Sequence, residues 1–280
     1  NDKNVLGFSV DYYKTIDSNL DNVLYDEEVE GINTEEAYAA DERINNIVEG
    51  ILAMHPLKTN DMQYTSIFAT ASIPQLVKYY DCFKTKNTNL KIAAIFTYGQ
   101  NEEFEGKDEL SFQSLERIMK DYNDMFDTNY SLSTFDAYFK DVSKRVKNAE
   151  IDILIVVNMF LTGFDSKTLN TLYVDKRLKH HDLIQAFSRT NRVHKTAKTQ
   201  GNIVSFRTTK KDVDEAIRIF SDTSDPDEVL LKPYEYYKDK FIEIVKQLKE
   251  IAPTVESVDN IKSEEEQKKF VLTFRELTRI

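Results

Sequence analysis

Two periods alternate along the middle of this chain. Short apolar runs such as Ile151-Asp-Ile-Leu-Ile-Val-Val157 are separated by longer stretches in which apolar residues recur at three and four. A run that leaves no polar face predicts a strand buried on both sides, and such strands need helices to cover them. Strands are predicted at about 66–71, 91–97, 151–157, 170–175 and 202–206, and helices at about 75–86, 111–126, 134–148, 181–191 and 209–220. Strict alternation of the two predicts an α/β domain with a parallel sheet and helices on both faces. Ahead of it, Ile44, Ile47, Val48 and Ile51 lie at helical spacing, whereas residues 1–33 are acidic and aperiodic and read as a lead-in. After Asp225-Pro226 the strand signals stop. Tyr234, Tyr237, Phe241, Ile244, Val245 and Leu248 then predict a helix to about Ile251, closed by Pro253, and Glu264-Glu-Glu266 opens another. The expected division is a lead-in and helix over 1–50, an α/β lobe over 51–222 and the start of a helical region over 223–280.

Composition narrows this picture. A chain of 280 residues with 41% apolar side chains can fill a sizeable core. No apolar stretch approaches the ~20 residues of a membrane span, and no basic-then-apolar leader opens the chain. Cys82 is the one cysteine, which permits no internal disulfide and predicts a reducing, cytoplasmic setting; its aromatic helix, Tyr79-Tyr80-Asp-Cys82-Phe83, predicts core packing. Net charge is −11, yet the distribution is uneven. The first fifty residues hold thirteen acids against three bases, while residues 140–211 hold fifteen bases against six acids. A basic block inside an acidic chain predicts a surface for phosphates, of nucleic acid or nucleotide; a solvated helix face is the alternative.

The candidate chemistry lies in that block. Gln185-Ala-Phe-Ser-Arg189-Thr-Asn-Arg192 sets two arginines three apart, expected on one helix face with Gln185 a turn before, and guanidinium forks suit phosphate oxygens. Upstream, Thr162-Gly163-Phe164-Asp165 follows the 151–157 strand and is expected at its carboxyl end, where open α/β sheets place ligands. Gly163 would let the backbone approach a phosphate, Thr162 could offer its hydroxyl to DNA phosphate or to the turn, and Asp165 could accept from a ribose hydroxyl or an arginine. Thr70 and Ser72 flank another strand end and could bond DNA phosphates; helix capping by Ser72 before Pro74 explains that residue equally well. His180-His181-Asp182 does not predict a metal site, because adjacent helical histidines diverge by ~100° and no third ligand is placed near them. No general-base or nucleophile constellation is evident.

The order of these motifs resembles motifs V and VI of superfamily 2 helicases and translocases. The longer strings Val157-Asn-Met-Phe-Leu-Thr-Gly-Phe-Asp165, Leu172-Tyr-Val-Asp-Lys-Arg-Leu178 and Gln185 to Val193 resemble more specifically the restriction and translocation subunit, HsdR, of type I restriction enzymes. Ser66 to Ile73 resembles motif IV of that family, and Lys91 to Phe96 with Asn101-Glu102-Glu103 resembles the strand and acidic turn that follow it; those three polar residues read as a solvated loop. The resemblance implies a RecA-like second motor lobe. It implies Arg189 and Arg192 as arginine fingers on the γ-phosphate, Gln185, Gly163 and Asp165 at ATP, and Thr70, Ser72 and Thr162 at DNA. It implies duplex DNA and the methylation and specificity subunits as partners, with no membrane role. ATP and Mg²⁺ would serve the complete subunit, and the chain alone would bind neither: its seven glycines nowhere form G-x-x-x-x-G-K, so it holds half an ATP site and reads as a fragment. The alternatives are a lobe of another superfamily 2 helicase and an α/β interaction module without catalysis.

Overall fold

The computed structural model describes residues 7–13, 15, 37–97, 107–178, 180–194, 198, 200–220 and 234–278. Six strands, β1 (Phe8–Tyr12), β2 (Thr65–Thr70), β3 (Ile92–Ile95), β4 (Ile153–Val156), β5 (Leu169–Asp175) and β6 (Gly201–Ser205), form one sheet in the order β1-β6-β5-β2-β4-β3. Every pairing is parallel. The helices are α1 (Asp41–Lys58), α2 (Ile73–Thr85), α3 (Lys107–Phe126), α4 (Phe135–Lys147), α5 (His180–Phe187), α6 (Lys210–Phe220), α7 (Tyr234–Ile251) and α8 (Glu264–Leu277). A parallel sheet flanked by helices is the α/β architecture that the alternating pattern predicts.

Strands β2 to β6 are buried along their whole length: β3 and β4 are continuous apolar runs, while β2, β5 and β6 bury polar residues at their ends as well. Phe68 of β2 lies opposite Ile155 and Tyr173 and meets Tyr79 of α2 edge-on, with ring centroids 4.7 Å apart. Helix α1 is tied at both ends. Its last carbonyl, Lys58 O, accepts from Asn170 Nδ2 at 3.0 Å, Thr171 Oγ1 at 3.0 Å and Asn202 Nδ2 at 2.9 Å, so polar residues at the amino ends of β5 and β6 cap it. Near its start Arg43 is bound to Asp175 at the carboxyl end of β5. The helix runs to Lys58, beyond the spacing of Ile44 to Ile51 that predicts it, and takes in Pro56.

Within the stretch expected as a lead-in, residues 8–12 form β1, the edge strand beside β6, and Tyr13 N continues the ladder to Ser205 O at 2.8 Å. An edge strand buries one side chain, here Phe8, and leaves its neighbours half exposed, so it carries almost no apolar signal. The first compact unit spans Asn1–Leu230 and the second Leu231–Ile280, while the expected boundary at 222/223 lies outside the described residues. Asn101, Glu102 and Glu103 also lie outside them. In the second unit α7 packs against α8, with Ile244 and Thr273 buried and Lys240 Nζ 3.3 Å from Glu276 Oε1.

Candidate functional site

The chain leaves β4 at Val156 and reaches β5 with no helix between them, so the link itself must run from the carboxyl edge of the sheet to its amino edge. Its start is pinned at the carboxyl edge, where Lys176 Nζ donates to Val157 O at 2.8 Å and to Asn158 Oδ1 at 2.5 Å. Its end is pinned at the amino edge, where Thr65 N donates to Thr168 O at 3.0 Å and Thr168 Oγ1 donates to Val146 O at 2.9 Å. The Thr162–Asp165 turn therefore lies on the amino-edge side of the crossing, not at the strand's carboxyl end. Gly163 has φ +71° and a Cβ there would meet nothing within 4 Å. Backbone conformation, not crowding, is what calls for glycine.

The arginines are also placed differently from expectation. Helix α5 ends at Phe187, so Arg189 and Arg192 lie in the turn beyond it and do not share a helix face. They converge by docking onto the 162–165 turn. Arg189 Nη1 donates to Phe164 O at 2.9 Å, and its Nε reaches back to Gln185 O at 3.0 Å, closing the helix end. Arg192 Nε lies 3.1 Å from Asp165 Oδ1. Burial, followed by the charge of Arg192, holds the Arg189 guanidinium below its ordinary pKa, with Asp165 working the other way. Gln185 turns its amide to the His181 ring.

Two residues that carry this arrangement drew no notice in the sequence. Gly201 opens β6 directly against the turn after α5: a Cβ there would sit 2.2 Å from Thr190 Oγ1 and 3.0 Å from Thr190 C. Phe164 is buried against Phe160, with centroids 4.7 Å apart, and Lys147 Nζ stands 5.4 Å from its ring. A glycine opening an apolar strand was the available signal for the first.

Comparison with known proteins agrees with these motifs. The family model described as "Type I restriction enzyme subunit R domain 3" matches residues 62–208, and "Type I restriction and modification enzyme - subunit R C terminal" matches 229–280. The endonuclease subunit of type I restriction enzyme SauCOLORF180P from Staphylococcus aureus (strain COL) is 48% identical over 290 aligned residues, covering 100% of this chain and 31% of that protein. The chain belongs to the R subunits of type I restriction enzymes. A relative from Staphylococcus saprophyticus, the SsaAORF53P endonuclease subunit, is 49% identical with the same coverage. Among solved structures, a fragment of an HsdR subunit from Vibrio vulnificus YJ016 aligns at TM-score 0.48 and 13% identity, over 83% of this chain and 36% of its own. The chain thus spans about a third of the length of the R subunits it matches.

Within this R-subunit segment the remaining candidates separate. Thr70 is fully buried and its hydroxyl donates to Val156 O at 3.2 Å, so it serves the sheet and presents nothing to a phosphate. Ser72 caps α2, its Oγ accepting from Gln75 N at 3.4 Å, and remains exposed, as does Thr162. Part of the basic block is consumed internally. Arg145 pairs with Asp141 and Glu150, Lys210 with Asp214, and Arg207 with Asp175. Lys198 is buried on Lys167 O and Leu169 O, and burial pushes it down to about 8. Lys176, bonded as above, is likewise lowered by burial. Lys140, Lys144 and Lys147 on α4 stay exposed, and Lys147 stands beside the Phe164 ring.

Proposed function

We propose that this chain is the second motor lobe of a type I restriction R subunit, with the first helices of the region that follows, and that it serves ATP-driven movement of duplex DNA ahead of cleavage. The observation that carries the reading is the convergence of Arg189 and Arg192 on the Thr162–Asp165 turn. A positive pair fixed on a turn with an exposed hydroxyl and carboxylate suits the phosphates and ribose of a nucleotide held on a facing lobe. The donor set fits the anionic end of ATP: the Arg192 side chain is 42% exposed and spends one nitrogen on Asp165. Gln185, Gly163 and Asp165 would border the nucleotide. No stretch of this chain has the glycine pattern of a phosphate cradle, so cradle and Mg²⁺ ligands belong to another lobe. When bound, ATP supplies the phosphoryl group whose transfer drives the motor; this chain's part is to place positive charge beside it.

Ser72 and Thr162 are the hydroxyls left for DNA phosphates, a contact blind to sequence. The methylation and specificity subunits are the proposed protein partners, and the cytoplasm the proposed setting. Among the described residues no helix is long and apolar enough to cross a membrane. The reading has a direct test in two assays. The isolated chain with millimolar ATP should release only background phosphate. In the full-length subunit, replacing both Arg189 and Arg192 by alanine should cut DNA-stimulated turnover by about 10³-fold or more, and near-normal turnover would overturn the reading.

A further inference from the structure

The two arginines occupy unlike environments. Arg189 has spent its fork: Nε donates to Gln185 O at 3.0 Å, Nη1 to Phe164 O at 2.9 Å, and Nη2 lies 3.5 Å from Ser188 Oγ. Its acceptors are carbonyls of the α5 end and of the 162–165 turn. To reach a phosphate it would have to take its donor from Phe164 O and unfasten the turn from the helix, while Gln185 O would keep the Ser188 hydroxyl at 2.9 Å. Arg192 has spent one nitrogen only. Its partner carboxylate, Asp165, is 67% exposed, and among the described residues its terminal nitrogens have no acceptor. An ion pair so open to water is weak. A phosphate, with more charge and two oxygens spaced for the fork, competes well against it.

We infer that the two arginines divide the work: Arg192 is the residue that reaches the nucleotide, parked on Asp165 until a phosphate replaces the carboxylate. Arg189 is a positioning residue that pins the turn from which Asp165 and Arg192 operate. Gly201 has a part in the same device, because its missing Cβ lets Thr190, between the two arginines, seat against β6. This assignment rests on the proposed ATP site and goes beyond it by giving the pair unequal roles.

Single substitutions in the full-length subunit, read by ATP turnover, together with melting of the present chain, test it. Arg192→Ala should lower kcat by about 10³-fold or more while KM for ATP moves by only a few-fold. It should leave the melting temperature of this chain unchanged, and added guanidinium ion should restore part of the turnover because the vacated place is open to solvent. Arg192→Lys should rescue poorly for want of a planar fork. Arg189→Ala should lower the melting temperature and cost less in kcat, and guanidinium should not rescue it. A larger kcat loss in Arg189→Ala with unchanged melting would reverse the assignment. Equal losses with unchanged melting in both would refute the division and leave the ATP site standing. Normal turnover in both would remove the ATP site as well.

Discussion

Asp175, with no exposed side-chain surface, accepts five hydrogen bonds: from Arg43 Nη1 and Nη2 at 2.9 and 2.5 Å, Gln75 Nε2 at 2.9 Å, Tyr79 Oη at 2.5 Å and Arg207 Nε at 3.1 Å. Burial alone would raise its pKa, but the bonds and charge of Arg43, the charge of Arg207 and the bond from Tyr79 hold it below the usual carboxylate range. Its contribution to stability is therefore present above the unfolded carboxylate's pKa and is lost as pH falls through the folded one. Asp175→Asn leaves two buried guanidiniums without a counter-charge and should cost about 3–5 kcal/mol in urea unfolding at pH 7. His55 shows the opposite charge logic. It is buried against Tyr173, Nδ1 lying 3.1 Å from the phenol oxygen, and burial pushes its pKa down to about 4. The folded state keeps it neutral while the unfolded chain protonates it below ~6.5, so stability is lost as pH falls from there towards 4. Between pH 7 and pH 5 the loss from this residue should be about 2 kcal/mol. Urea midpoints for His55→Leu should show a correspondingly smaller pH dependence; an unchanged dependence would assign the effect to other groups.

At the scale of elements, the site depends on how α5 ends. A helix continued to Arg192 would have pointed both side chains along one face; ending at Phe187 sends the chain across the start of β6 and brings the arginines onto the turn. The close approach of Thr190 to Gly201 makes that path possible. Gly201→Ala must displace the Thr190 backbone as well as its hydroxyl, an overpacking cost of about 1–3 kcal/mol. Gly163→Ala has room for the methyl group but must hold a left-handed φ, which costs about 1–2 kcal/mol. Denaturant unfolding should show both losses. In the full-length subunit Gly201→Ala should also reduce turnover, because it shifts the segment that carries Arg189 and Arg192.

For the whole molecule, the sign and placement of charge bear on the proposed contact with DNA. The net charge is −11, and Arg145, Arg207 and Lys210 of the basic block are paired inside the first unit. The isolated chain should therefore bind duplex DNA weakly, with Kd about 10⁻⁴ M or poorer at physiological salt and a steep fall as salt rises. Lys176 is bonded into the link after β4 and makes a poor probe of this surface. The exposed α4 lysines 140, 144 and 147 are the better choice. Reversing Lys140 and Lys144 to glutamate should lower affinity in a low-salt anisotropy titration, whereas reversing Lys246 and Lys249 on α7 should not. Equal loss from both pairs would make the α4 lysines an ordinary solvated face.

Five strands, the helices between them and the family were legible in the sequence, because each rests on a local property: short runs with an apolar centre for β2 to β6, spacing of three and four for the helices, and the contiguous strings from Val157 to Val193. The paired arginines and the Thr162–Asp165 turn were legible for the same reason. What each of them touches was not. The edge strand β1 is defined by pairing with residues almost two hundred positions away, and Asp175 by Arg43, 132 residues before it. The side of the sheet on which the turn lies, the unequal freedom of Arg189 and Arg192, and the internal use of part of the basic block are all settled by such distant contacts. Hydrophobic periodicity records how much of a residue is buried and in which local conformation, and both act over a few residues. Partnership between polar groups depends on which strands lie side by side, and that was decided only when the sheet took its order.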